Sequence, residues 1–199
     1  MTSIDQKALT RWNSANLSFE NYLKYIDKKS KTDRLGLTLI DLLYISNFKG
    51  GNSSIHEDED GVNLKLEKYS ELLKKIDQQF NSKSLVDLSE NKLNILIQLV
   101  ENMFELTESS ETKIYGFSIS FLSALICAHF PNLVPIIDRR VLNGLELDDL
   151  KLNSSKQVTN MKDLFPGLVK EMQSKLKEAN GKISLRDLDK ELFIKPITK

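Results

Sequence analysis

The sequence predicts an all-α protein. Apolar residues recur at helical spacing through most of the chain. No two alternating runs are joined by a hairpin turn, and the breaks between periodic segments are polar or glycine-containing. No internal repeat is present. A chain of 199 residues buries roughly 70% of its unfolded surface, enough for one domain without covalent staples.

The elements follow in order. In "SIDQ", Ser3 and Gln6 stand three apart, the spacing of a capping box that opens a helix. "TDRLGLTLIDLLYISNF" (32–48) reads as one mostly apolar helix, stopped by "KGGN". "HEDEDG" (56–61) reads as an acidic loop. Leu66, Tyr69, Leu73, Ile76 and Phe80 then mark one face of a helix. Ser89 opens the next, with Leu93, Leu96, Leu99, Val100, Met103 and Phe104 on its apolar side. "TESSET" is a polar break. The least polar stretch follows, a helix over 118–129 that is expected to be the most buried of all. It should cross a short preceding helix through the turn at Tyr115–Ser118. Pro131 and Pro135 force an extended link, and a short helix follows Asp138. The last two helices are expected at about 166–179, closed by "NG", and 184–193. Two parts result: a helical core over 1–150 and a basic helical lobe over 151–199 packed on it as one unit.

Composition narrows the classes of function. Cys127 is the only cysteine, which excludes an internal disulfide and a multi-thiolate cluster. "MTSIDQKALTRW" lacks the apolar run of a signal peptide. The run from Phe117 to Phe130 falls short of the ~20 residues that span a bilayer. The expected setting is cytoplasmic, with no membrane contact. Net charge is zero but unevenly spread: +3 over residues 1–50, −8 over 51–150 and +5 over 151–199. Basic ends could face an anionic partner, but a solvated helical surface with ordinary lysines is the favoured reading of them.

Most candidate motifs carry no chemistry. "HEDEDG" gathers four carboxylates and an imidazole without the ligand spacing of a calcium loop. "FKGGN" lacks the preceding strand and the spacing of a phosphate loop. Cys127 and His129, two apart on a helix, do not face each other. Trp12 and the phenylalanines read as core. No metal and no cofactor is expected.

The segment "YGFSISFLSALICAHFPNLVPIIDRRV" (115–141) is different, because apolar core ends on Asp138-Arg139-Arg140. "IYGFS", "ISFLSALICAHF" and "PNLVPIIDRRV" follow one another as a glycine turn, an apolar helix and an extended segment ending on an aspartate. Counting Gly116 as first, Asp138 is the twenty-third position. This stretch, over about 106–145, resembles the helix–hairpin–helix DNA glycosylases of the endonuclease III type. Their pattern is a hairpin L-P-G-hydrophobic-G, an apolar helix and a segment ending V-D-T-H-V, with the same separation.

The resemblance implies a DNA-binding protein with duplex DNA as partner. Gly116, Ser118 and Ser120 at the hairpin, with Arg139 and Arg140, would hold the nucleic acid. Asp138 would be the catalytic carboxylate that hydrolyses the N-glycosidic bond of a damaged or modified base. The chain also departs from the pattern. The proline before the first glycine is Tyr115, and the second glycine is Ser118. The position of the Schiff-base lysine is Ser120, the histidine after the aspartate is Arg140, and the iron–sulfur cysteines have no counterpart. What remains fits a monofunctional glycosylase without lyase chemistry. The alternative is a non-catalytic nucleic-acid-binding or protein-interaction module that retains the fold, in which Asp138 serves as a helix N-cap.

Overall fold

The computed structural model describes residues 4–50, 55–147 and 149–197. They form eight α-helices: α1 Gln6–Lys28, α2 Leu39–Phe48, α3 Glu59–Phe80, α4 Glu90–Leu106, α5 Ile119–His129, α6 Arg139–Gly144, α7 Met161–Glu178 and α8 Leu185–Phe193. Among the described residues the one β feature is an isolated bridge between Leu152 and Val158. No described helix is long and apolar enough to cross a membrane. The all-α expectation holds.

The buried residues make one contiguous cluster, drawn from every helix after α1's first turns, with α5 at its centre. From Leu122 to His129 every α5 side chain is buried. α5 packs against α1, α2, α4 and α7, which accounts for its apolar run on all sides. The helix before it, α4, is seventeen residues long rather than short. A looped connection over 107–118 separates the two, held by Lys113 N–H donating to the Ser109 carbonyl at 2.8 Å.

Several boundaries differ from the sequence reading, each for a local reason. Ser3 lies outside the described residues, and the N-cap of α1 is Asp5, whose Oδ1 accepts from the amides of Lys7 and Ala8. The helix expected from residue 32 begins only at Leu39. Thr38 and Asp41 close a capping arrangement there, with Thr38 N–H donating to Asp41 Oδ2 at 2.8 Å. Leu37 N–H meanwhile donates to the Ser70 hydroxyl. The acidic "loop" is partly helix: Asp58 caps α3, accepting from Gly61 N–H, and Glu59 and Asp60 occupy its first turn. α7 starts a full turn before Pro166, which therefore stands inside the helix. Phe165, fully buried edge-on against Phe104 at 5.0 Å, offsets the hydrogen bond that the proline removes.

The contact between α6 and α8 needs glycine. A Cβ at Gly144 would lie 2.4 Å from the Leu192 carbonyl oxygen. Lys195 Nζ donates to the Gly144 carbonyl at 2.9 Å and adds a second tie. Gly144→Ala is expected to lose about 1–3 kcal/mol through a forced backbone shift, read as a lower urea midpoint at unchanged slope.

Candidate functional site

Asp138 stands where the extended link ends and α6 begins. The link doubles back along α5: the Ser123 hydroxyl donates to the Ser120 carbonyl and accepts the Ile137 N–H at 3.1 Å. These bonds hold Ile137 beside the first turns of α5 and fix the aspartate that follows. Asp138 Oδ1 accepts from Arg140 N–H at 2.9 Å, the N-cap bond. Its Oδ2 accepts from Lys49 Nζ at 3.0 Å.

The Asp138 side chain is 25% exposed and lines an open cleft of 360 Å³. α1, the end of α2, α6 and α8 form its walls. Trp12, Phe48 and Phe193 supply aromatic surface, and Lys49, Arg186 and Asp189 supply charge. Burial pushes the Asp138 carboxyl up. The Lys49 charge and the Arg140 amide outweigh that and hold it below the usual aspartate value, so it is ionised at neutral pH.

α8 contributes a second carboxylate. Asp189 is 3% exposed and takes an ion pair from Arg186 Nη1 through Oδ2. The Arg186 guanidinium lies 4.0 Å over the Trp12 ring and 4.6 Å over Phe19. Burial, with a push from Asp138, raises the Asp189 carboxyl to about 6 against the pull of Arg186 and Lys49.

Gly116, Ser118 and Ser120 line a different cleft. The turn Ile114–Phe117 is closed by Phe117 N–H donating to the Ile114 carbonyl, and exposed Gly116 takes a φ of +79° at its tip. Glycine suits that conformation best. Ser118 is the exposed N-cap residue of α5, and half-buried Ser120 lies in its first turn. All three border a 510 Å³ groove with Lys113, Gln157 and Thr159. Ser120 is thus not a wall of the cleft that holds Asp138.

The two arginines part company. Arg139, partly exposed, donates from Nη1 to the Lys156 carbonyl at 2.7 Å. Arg140 is committed inside the fold. Its Nε donates to the Phe193 carbonyl at 2.7 Å, and its Nη2 donates to Asp5 at 2.8 Å and to the Lys195 carbonyl at 3.1 Å. With its side chain 12% exposed, Arg140 ties the start of α1 and the end of α8 to α6 and does not present its guanidinium to a phosphate.

The sequence reading missed Lys49, Arg186 and Asp189, and it assigned Trp12 and the phenylalanines to the core. Trp12 is 7% exposed, so it is both core and cleft wall. Asp189 did leave a signal. It follows Leu185 by four and precedes Leu192 by three, which puts a carboxylate on the apolar stripe of α8. Lys49 left none, because it reads as the end of a helix, and it does cap α2.

Cys127 and His129 are buried, as core residues should be. His129 Nε2 lies 3.4 Å from the Tyr22 hydroxyl, which donates to Asp41 at 2.9 Å. Burial lowers this imidazole to about 4, so it is neutral. Among the described residues no three His, Cys, Asp or Glu side chains gather where they could hold a metal ion.

Comparison of the chain with protein-family models, with curated proteins and with solved structures finds no match.

Proposed function

We propose that this is a DNA-binding protein of the helix–hairpin–helix glycosylase type, which removes a damaged or modified base by hydrolysing its N-glycosidic bond through Asp138. The observation that carries the reading is the cleft beside Asp138. An ionised carboxylate borders an aromatic-walled space of 360 Å³. Flipped bases are held by stacking in closely fitting pockets. The Asp138 charge would stabilise the sugar cation as the base departs and orient the attacking water. Phosphate would be held at the Gly116 turn and the α5 amides at Ser118 and Ser120, with Arg139 nearby.

A second reading has its own supporting observation. Asp138 caps α6 and is neutralised by Lys49, which is also what a purely structural aspartate would do. A non-catalytic module that binds nucleic acid or protein retains this geometry.

Titration of the protein with duplex DNA at several salt concentrations tests the binding half of the proposal. Affinity should fall with salt at a log–log slope of about −0.9 per phosphate contacted. Arg139→Ala should weaken binding to all sequences alike and make the slope shallower by about 1. Arg140→Ala should act through stability instead. Affinity that ignores salt would favour the protein-interaction module.

A further inference from the structure

The side of α2 that turns away from the core is apolar. Asp41, Leu42 and Ile45 are buried on one side. Ile40 and Leu43 stand on the other, and Leu43 is 53% exposed. A helix that is apolar all round belongs in an interior, and an uncovered apolar face marks a contact surface. Beside this face runs a groove of 320 Å³, lined by the apolar Leu39, Leu43, Ile55 and Val62 and by the acidic Glu57 and Glu59. The hydrogen bond from Lys65 holds the Glu57 carboxyl below the usual glutamate range. Glu59 is exposed in the first turn of α3.

The chain carries the counterpart of that groove elsewhere. Residues 151–157 form a tight, exposed loop. Asn153 pins it: the side-chain oxygen accepts from the amides of Ser155 and Gln157, and the Asn153 N–H donates to the Gln157 carbonyl at 2.9 Å. An asparagine bonded to the backbone that follows it fixes a turn. Arg139 Nη1, donating to the Lys156 carbonyl, anchors the loop to α6. The loop presents Leu152, 47% exposed, between the exposed Lys151 and Lys156. An apolar side chain flanked by two ammonium groups matches an apolar groove flanked by two carboxylates.

We propose that the groove beside α2 receives the Leu152 loop of a second copy of this chain. Charge selects this occupant. The whole chain is neutral, but residues 51–150 carry −8 and residues 151–199 carry +5. Each copy therefore offers an acidic and a basic surface, and complementary potentials steer association and fix its register.

Position selects a closed pair. Glu57 accepts the Tyr115 N–H at 3.2 Å, and Gln157, Val158 and Thr159 share a groove with Gly116. Groove and loop thus flank the same turn. One two-fold axis then lets each copy's loop enter the other's groove, the mutual contact of an isologous dimer. Such a pair covers the Gly116 turn, which makes self-association and phosphate binding there alternatives. The proposal does not depend on the role of Asp138.

The test is sedimentation equilibrium of the full chain from micromolar to millimolar concentration. A reversible monomer–dimer equilibrium is expected, weakening as salt screens the contacts between lysines and glutamates. Leu43→Asp and Leu152→Asp each place a charge in an apolar contact and should raise the dimer Kd about tenfold or more. Both positions are exposed, so thermal melting should stay near wild type. Glu59→Lys should weaken association, and so should Lys151→Glu combined with Lys156→Glu. A chain carrying all three reversals should recover it, because the signs match again. A wild-type chain that stays monomeric throughout would overturn the proposal and leave the α2 face to another protein. Loss of the dimer in Leu43→Asp but not in Leu152→Asp would overturn it in favour of α2 faces packed on each other. Reversals whose losses merely add in the combined chain would overturn it too, since the lysines then do not meet the glutamates.

Discussion

Asp138→Asn is expected to keep the fold and lose at least about a hundredfold in base release, the usual cost of removing a preorganised electrostatic group. Asparagine caps helices as well as aspartate does, so the bond from Arg140 N–H survives. The ion pair with Lys49 does not. The ammonium, left partly buried, should cost about 1–3 kcal/mol. Asp138→Ala loses the cap as well, about 1 kcal/mol more. Release rates and melting curves measured on both variants separate the two roles. If Asp138→Asn works at the wild-type rate, the residue is a cap and nothing more.

Lys29→Met is expected to cost the most stability of any single change considered. Lys29 Nζ lies 2.8 Å from both oxygens of Asp41, whose side chain is fully buried. The same nitrogen donates to the Gly36 carbonyl, tying the 29–36 turn to α2. Removing it leaves a charge stranded in the core, a loss of about 3–5 kcal/mol out of a total that is typically ~5–15. Because this pair anchors the start of α2, and Lys49 ends that helix, cleft chemistry should weaken along with stability. Urea unfolding measures the loss. A change under about 1 kcal/mol would mean that the Asp41 bonds from Tyr22 and Thr38 suffice alone. The double variant Lys29→Met, Asp41→Leu should recover part of the loss, since no unpaired charge remains.

The helices whose apolar period is unambiguous were legible in sequence. Ser89 caps α4, Ser184 caps α8, and the uniformly apolar 119–129 segment is the central α5. The failures share a cause. At Thr38–Asp41 and at Asp58 the deciding interaction is a polar side chain meeting a backbone amide or a distant lysine, which hydrophobic period does not register. Pro166 misled in the opposite direction, because proline's preference for the first turn lost to the burial of Phe165.

The site was half legible. Asp138 and the Gly116 turn stand out by residue type and spacing. Lys49, Arg186 and Asp189 reach the cleft from elements 89, 48 and 51 positions away from Asp138, and only the packing of α2 and α8 against α6 brings them together. Arg140 shows the converse. As the neighbour of Asp138 it reads as a phosphate contact, yet the turn of α6 points it at the chain ends, where Asp5 and two carbonyls occupy it.

The most direct measurement is release of free base by the wild-type protein from a panel of damaged and modified duplexes, followed by chromatography of the liberated base, with strand scission scored before and after alkali. Free base is expected from at least one lesion, with strands that break only after alkali, because Ser120 carries no amine that could form a Schiff base. Intact duplexes across the whole panel, under low-salt conditions in which the protein binds DNA, would contradict it and leave the non-catalytic module as the reading of this fold.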